Sequence, residues 1–362
     1  MTKKPDGAGP VRHSTIYDVA KEANVSPATV SHVLNGTAPI SIPTQKRVFK
    51  AIRELDYRPN ANARSLRAAK SQILGVVVQD ISSEYYAQCT AGILQRAQQE
   101  DFVVLTSDIH FRTDILHKSV KALVDRRVDG LVFVGGAGDE DSIQMAASAG
   151  VPIVIGDRYL EGYPCVEFNN FETMHGLTHA LYRAGYRRFA YMGESLDRQQ
   201  NLERRYGGVI QALDETGVPE ADRLIILNSQ IYPTKMKSAY QIFQTIIRET
   251  PRERLPEIVI TSNDMIAQGV ISVALRNGLR VPEDIAVFGF DNISISIYCT
   301  PSISTVVQDP FLLGTTLFDM LKERIRCGEH KNIVLPQQIA VRSSAPVAEK
   351  FLVQQGLSIH QD

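Results

Sequence analysis

The sequence predicts an α/β protein built from an N-terminal helix-turn-helix head, a hinge helix and a two-lobed body with parallel sheets. Three observations predict it. Charge is segregated: residues 1–70 hold 12 Lys+Arg against 5 Asp+Glu, a formal +7, and the remaining 292 hold 27 against 35, a formal −8, so the net −1 hides a basic head on an acidic body. Within the head, short helical patterns follow one another after about two residues, which is helix-turn-helix spacing. From Gln72 onward, apolar strand-length runs alternate with amphipathic helix-length segments, the pattern of parallel sheets covered by helices on both faces.

A length of 362 residues with 44% apolar and 22% charged residues is a globular composition with room for two or more domains, and it excludes disorder throughout. No run of about 18 apolar residues exists and Met1 to His13 is polar, so the reading is of neither a membrane span nor a secretory signal, and of a cytoplasmic protein. Cys89, Cys165, Cys299 and Cys327 match neither a zinc spacing nor a small disulfide scaffold and are expected to be inert thiols. A basic unit on an acidic one suits a polyanion-binding head; accidental segregation of a solvated surface is the competing explanation.

Taken in order, Thr15 caps a first helix whose third position is Asp18, close to a capping box, with Ile16, Val19, Ala20 and Ala23 on one face and Asn24 as a left-handed stop. Ser26 caps a second, with Pro27 at its first position, where the missing N–H costs nothing; it runs through Val30, Val33 and Leu34 to Asn35 and Gly36. A third starts between Ser41 and Thr44, and Val48, Ala51, Ile52 and Leu55 form the stripe that covers the first two. Pro59 ends the pattern. Residues 60–70 permit helix but carry one large apolar residue, Leu66, so this segment is expected to order only against a partner.

The second helix offers Ser26, Ala28, Thr29, Ser31, His32 and Asn35, small or slim groups that fit a major groove. Thr29, Ser31 and Asn35 can hold phosphates or base edges, and His32 can present a ring nitrogen to a guanine acceptor. A helical hairpin used for protein contacts is the bland alternative.

Residues 15–36 (TIYDVAKEANVSPATVSHVLNG), followed by ISIPTQKRV and AIRELDYRPNANARSL, closely resemble the lac/gal repressor family of bacterial transcription regulators, and the resemblance continues through the β/α body to residue 345. It implies a periplasmic-binding-protein-like body and a homodimer acting on a palindromic operator in double-stranded DNA. It implies DNA contacts at Thr15, Tyr17, Ser26, Pro27, Ala28, Thr29, Ser31, His32, Asn35, Ser41, Thr44 and Tyr57. It further makes Asn60, Ala63, Leu66 and Arg67 the minor-groove segment, with Leu66 wedged into the central base step. An apolar wedge beside Arg64 and Arg67 suits that role, because unstacking costs a few kcal/mol that the bent duplex returns in added contacts. Leu66 as a simple linker anchor is the alternative. Family operator choice is set at positions occupied here by Pro27 and Ala28, neither of which makes bidentate hydrogen bonds, so base reading falls on His32 and on Ala28 against a thymine methyl.

The expected domains are a flexible extension at 1–14, the helix-turn-helix domain at 15–58, the hinge helix or linker at 59–71, an effector-binding and dimerisation domain at 72–345 with crossovers near 172, 306 and 338, and a C-terminal tail at 346–362. Lys3, Lys4 and Arg12 could add phosphate contacts. Strand-like runs in the body are 73–78, 103–106, 130–134, 151–155, 189–192, 224–227, 258–261 and 285–289. Roughly 270 residues is long for one such sheet, which favours two lobes with a cleft between the carboxyl ends of their strands.

At that cleft, Tyr85 and Tyr86 follow the first strand, where aromatic faces can stack on a sugar or base ring or simply pack. Asp157 with Arg158, Asn263 with Asp264, and Asp291 with Asn292 follow later strands. Arg205 and Asp291 are similar to the family's effector-binding arginine and aspartate, and a fork and a carboxylate can grip neighbouring hydroxyls from two sides. A structural ion pair is the other reading. Where relatives usually carry Asp before the next helix, this chain has Asn169.

These residues point to a sugar or sugar derivative as the small-molecule effector, with Arg158, Arg204 and Arg205 hinting at an anionic one and a purine or nucleoside as runner-up. A phosphocarrier protein is an alternative gate. No catalytic set, cofactor or metal is expected. Gly135-Gly136-Ala137-Gly138 lacks the third glycine of a dinucleotide fingerprint, Gly193-Glu194-Ser195 is no nucleophile elbow, and His175 and His179 lack an evident third ligand and read as helix-surface histidines. No leucine heptad follows Ala345 to build a tetramer. The functional expectation is a cytoplasmic, nucleoid-associated, effector-gated transcriptional regulator that represses carbohydrate-metabolism genes. The rival is a sugar- or purine-binding protein without regulatory DNA binding.

Overall fold

The computed structural model describes residues 14–57, 71–135, 140–197, 199–231, 234–328 and 331–361. The chain divides into two compact units, Met1–Ser71 and Gln72–Asp362.

The first unit holds α1 (Ile16–Glu22), α2 (Pro27–Asn35) and α3 (Ile42–Glu54). Its caps follow local chemistry. The Thr15 amide donates to Asp18 Oδ2 at 2.8 Å and the Asp18 amide donates to Thr15 Oγ1 at 3.4 Å, a complete capping box. The Thr29 amide donates to Ser26 Oγ at 3.1 Å, and Asn24 (φ +52°) and Gly36 (φ +63°) take the left-handed stops. Val19, Ala20, Ala23, Val30, Val48, Ala51 and Tyr57 form the core, with Ile16, Leu34, Ile52 and Leu55 packed around it.

The second unit has two lobes. The first, or N-lobe, is a six-stranded sheet in the order β11-β5-β4-β3-β1-β2, from β1 (Ile73–Val78), β2 (Val103–Asp108), β3 (Gly130–Val134), β4 (Ile153–Gly156), β5 (Cys165–Phe168) and β11 (Ile333–Leu335). Its inner strands β1, β3 and β4 are buried on both faces, which is why they read as continuous apolar runs. Val76 and Val78 pack against α4 (Glu84–Gln99) and α12 (Pro310–Cys327), while Val77 faces α5 (Thr113–Asp125) and α6 (Glu140–Ser148).

The C-lobe sheet has seven strands in the order β13-β12-β10-β9-β8-β6-β7: β6 (Phe189–Gly193), β7 (Arg223–Leu227), β8 (Ile258–Thr261), β9 (Ala286–Asp291), β10 (Ser304–Val307), β12 (Gln338–Ala340) and β13 (Ser358–Ile359). Described pairings are parallel except β10 with β12. One face packs α7 (Asn170–Arg183) and α8 (Gln200–Glu215), the other α9 (Lys235–Glu249) and α10 (Asp264–Arg276). A short α11 (Ser294–Tyr298) follows β9. The chain passes between lobes after β5, after β10 and after β11.

Two differences from expectation have physical reasons. Residues 346–362 do not form a separate tail: α13 (Glu349–Val353) buries Leu352 in the C-lobe core beside Val347, and β13 pairs with β12. Strands β5 and β10 were not expected, because each is four residues long and mixes polar groups, Glu167 in one and Ser304 and Thr305 in the other. Among the described residues, no helix is long and apolar enough to cross a membrane.

Candidate functional site

Strand ends and helix starts of both lobes meet in one cleft. Tyr85 and Tyr86 on α4 and Asp157 after β4 come from the N-lobe; Arg205 on α8, Asn263 capping α10 and Asp291 ending β9 come from the C-lobe. The space between these walls, open solvent at the mouth included, is about 500 Å³.

Arg205 anchors the C-lobe side. Its Nε donates to Asn170 Oδ1 at 3.1 Å and its Nη1 to the Ser262 carbonyl at 2.8 Å, while Cζ lies 3.7 Å from the Phe290 ring centroid and Nη1 lies 3.7 Å from Asp291 Oδ1. A guanidinium held this firmly is a preorganised donor. Gln308 Nε2 donates to Asp291 Oδ1 at 2.8 Å, and Gln337 Nε2 reaches Gln308 Oε1 at 3.1 Å and Asn170 Oδ1 at 3.3 Å, so Arg205 and Asp291 are joined through the segments that cross between lobes.

Both aspartates sit in left-handed backbone, Asp157 at φ +62° and Asp291 at φ +103°. Such strain costs a non-glycine residue about 1–2 kcal/mol and persists where surrounding structure imposes it. Asp157 Oδ2 accepts from Asn201 Nδ2 at 2.9 Å, and the Tyr85 hydroxyl lies beside the same carboxyl. Burial pushes the Asp157 carboxyl up to about 7; Arg205 opposes the shift and Asp291 reinforces it. Burial also raises Asp291, against the pull of Arg205 and Lys235.

Tyr85 and Tyr86 meet edge to face, centroids 5.3 Å apart, and belong to the N-lobe core as well as to the cleft wall. Burial holds both phenols well above their usual range, so they stay protonated donors. The Tyr86 hydroxyl donates to Gln79 Oε1 at 3.3 Å, and the buried Tyr85 hydroxyl lies beside the Asp157 carboxyl.

Several lining residues escaped sequence reasoning. Glu194 accepts from Ser262 Oγ and from Asn263 Nδ2 (2.9 Å) and lies 3.4 Å from Lys235 Nζ. Burial pushes its carboxyl up, but Lys235 and Ser262 more than offset this and hold it below the usual range. Asn170, not the exposed Asn169, is the residue that grips Arg205. A signal was available for Glu194, which directly follows strand β6.

Two of the expected arginines are corrected. Arg158 is buried outside the cleft, with Glu140 as its charged neighbour. Arg204 pairs with Glu167 at 2.6 Å. Only Arg205 of the three lines the cleft.

On the head, Tyr17 is 71% exposed, and Thr15, Ser26, Ala28, His32, Asn35 and Ser41 are also exposed, with Pro27, Thr29, Ser31 and Thr44 half-buried. His32 Nδ1 lies 2.8 Å from Thr37 Oγ1, which orients the ring, and Asn35 Nδ2 donates to Ser31 Oγ at 3.2 Å. Tyr57 is corrected: its ring is buried in the head core and it is a packing residue. Asn60, Ala63, Leu66 and Arg67 lie outside the described residues. His175 and His179 are partly exposed on α7, and both contact Glu215, a partner that the sequence did not reveal.

A helix-turn-helix unit in one chain with a two-lobed ligand-binding body defines an effector-gated DNA-binding transcription regulator. Residues 15–60 match the bacterial regulatory proteins of the lacI family, and residues 178–345 match a periplasmic binding protein-like domain. The head thus carries the lacI-family domain, joined to a periplasmic-binding-protein-like body. Catabolite control protein A of Priestia megaterium is 29% identical over 337 residues, 91% of this chain and 98% of its own length. The structure of the lac repressor dimer bound to operator and the anti-inducer ONPF is similar with a TM-score of 0.79 and 27% identity, covering 92% of this chain and 100% of that one. The transcriptional regulator CelR–cellobiose complex is similar with a TM-score of 0.66 and 26% identity, covering 91% and 99%.

Proposed function

We propose that this chain is a cytoplasmic repressor that acts as a homodimer on a near-palindromic operator, and that its effector is an uncharged, polyhydroxylated molecule of the sugar class. The observation that carries the effector reading is the convergence of largely buried hydrogen-bonding groups, Asp157, Arg205, Asp291 and the Tyr85 hydroxyl, on one cleft. Each hydrogen bond they offer a hydroxyl-bearing ligand is worth about 0.5–1.5 kcal/mol net, more where the partner is charged. Glu194 and Asp291 face Arg205 and Lys235 among the lining residues and Asp157 is partly protonated near neutral pH, so the cleft carries no excess of positive charge to favour an anion, and Arg158 and Arg204 do not line it. The similar CelR structure holds cellobiose, and the similar lac repressor is a dimer on operator DNA.

Binding would draw the two cleft walls together, and operator and effector would then change each other's affinity by one common factor. Neutral sugars, sugar acids, sugar phosphates and purines are titrated by thermal shift and calorimetry, followed by gel shift on operator-sized genomic fragments with and without each ligand that binds. A neutral sugar is expected to raise the melting temperature by mass action and to weaken operator binding. Binding of sugar acids alone overturns the charge argument; no preference for any genomic fragment over random duplex overturns the repressor reading.

A further inference from the structure

We propose that His175, His179 and Glu215 form a binding site for a divalent transition metal ion, zinc above all, on the partly exposed face where α7 meets α8. His175 and His179 stand four residues apart on α7, so both imidazoles project from one side of the helix. Gly208 lets α8 come close: a Cβ there would run into the Phe171 carbonyl oxygen and come within 2.9 Å of the His175 amide. Two turns further along, this close approach delivers Glu215, the last residue of α8, opposite the two rings.

The three donor atoms lie within 4.8 Å of one another. His175 Nε2 is 2.8 Å and His179 Nε2 is 2.9 Å from the same oxygen, Glu215 Oε2. Zinc–nitrogen and zinc–oxygen bonds of about 2.0–2.2 Å put tetrahedral donors roughly 3.3 Å apart, so the carboxylate oxygen backs off by about half an ångström while the two rings adjust to that spacing. Glu215 ends its helix and is partly exposed, which leaves room for that shift. Outer contacts already orient the donors: Gln211 Nε2 donates to Glu215 Oε1 at 2.8 Å, and Phe171 stacks on His175 with ring planes 13° apart. A glutamate carboxyl is ionised at neutral pH, so Glu215 offers an anionic ligand. Two imidazoles and one carboxylate leave a coordination position for water.

The test uses the full chain without a polyhistidine tag, stripped with a chelator and titrated with zinc chloride by calorimetry, with cobalt(II) absorption as a reporter of donor type. One zinc per chain is expected, with a raised melting temperature, and at least tenfold weaker binding in each of His175→Ala, His179→Ala and Glu215→Gln. His110→Ala, an exposed histidine of the N-lobe, leaves binding unchanged. Glu215→Gln keeps hydrogen-bonding capacity and guards against a folding artefact, which each variant's metal-free melting temperature also exposes. Absence of saturable binding overturns the site. So does zinc binding that survives His179→Ala, or a cobalt spectrum with thiolate charge transfer that vanishes in Cys327→Ser.

Discussion

Gln337 donates through Nε2 to Gln308 Oε1 at 3.1 Å, and these two glutamines sit in two of the segments that pass between the lobes. Gln308 in turn holds Asp291, and Gln337 reaches Asn170, the residue that holds Arg205. The cleft and the connections between lobes therefore share one hydrogen-bond network. Gln337→Leu is expected to leave operator affinity and the fold intact while reducing the effector's influence on operator binding by about fivefold, the equivalent of one lost hydrogen bond. Anisotropy titrations of operator with and without effector give this number, and an unchanged coupling would remove the network from the switch.

Arg205 tests the cleft itself. Arg205→Lys keeps the charge but loses the fork that reaches Asn170 and Ser262 together. Loss of hydrogen bonds to a charged group, each about 1.5–3 kcal/mol, predicts a ten- to hundredfold weaker effector response with operator binding retained. Calorimetry with the sugar found in the ligand screen reads the first, and gel shift reads the second.

Asp157 ties stability to pH. Its carboxyl is raised from the usual 3.8 to about 7, so on raising the pH the unfolded chain releases this proton before the folded one does. Stability from this group is complete below the unfolded value and is lost as pH rises through the window up to about 7, at about 1.4 kcal/mol per pH unit. Asp157→Asn, which can still accept from Asn201, should melt higher than the parent at about pH 8 and lose that advantage at about pH 4. Equal melting differences at both pH values would contradict the shift.

On the head, His32 is oriented by Thr37 at 2.8 Å. His32→Ala should cost about 1–3 kcal/mol on the operator and little on random duplex, because base contacts specify while phosphate contacts only position. Thr37→Val should reproduce part of that loss by freeing the ring. Lys46→Ala on α3 should weaken both duplexes alike and flatten the salt dependence by about one counterion. Anisotropy on the two duplexes over a salt series separates these cases.

Legibility followed the range of the forces involved. The capping box at Thr15 and Asp18 and the stops at Asn24 and Gly36 are settled within a few residues, and the sequence displayed them. Asp157, Asn263 and Asp291 were visible because parallel strands end at a cleft. Arg158 misled because standing next to a cleft residue does not by itself put a side chain in the cleft, and Tyr57 because a motif position does not tell whether an aromatic ring faces the core. Glu194 with Lys235, Asn170 with Arg205, and Glu215 with two histidines depend on contacts between distant segments, which local patterns do not encode.

The three links that join the halves of the body are each only one or two residues long, between β5 and α7, β10 and α12, and β11 and β12. At about 3.5 Å of reach per residue, none has slack. A single tether would permit swivelling and a pair would permit shear, but three taut ones side by side leave bending about one line as the cheap movement. Whatever occupies the space between the halves is thus converted into a single angular coordinate, which makes the body a meter with one needle.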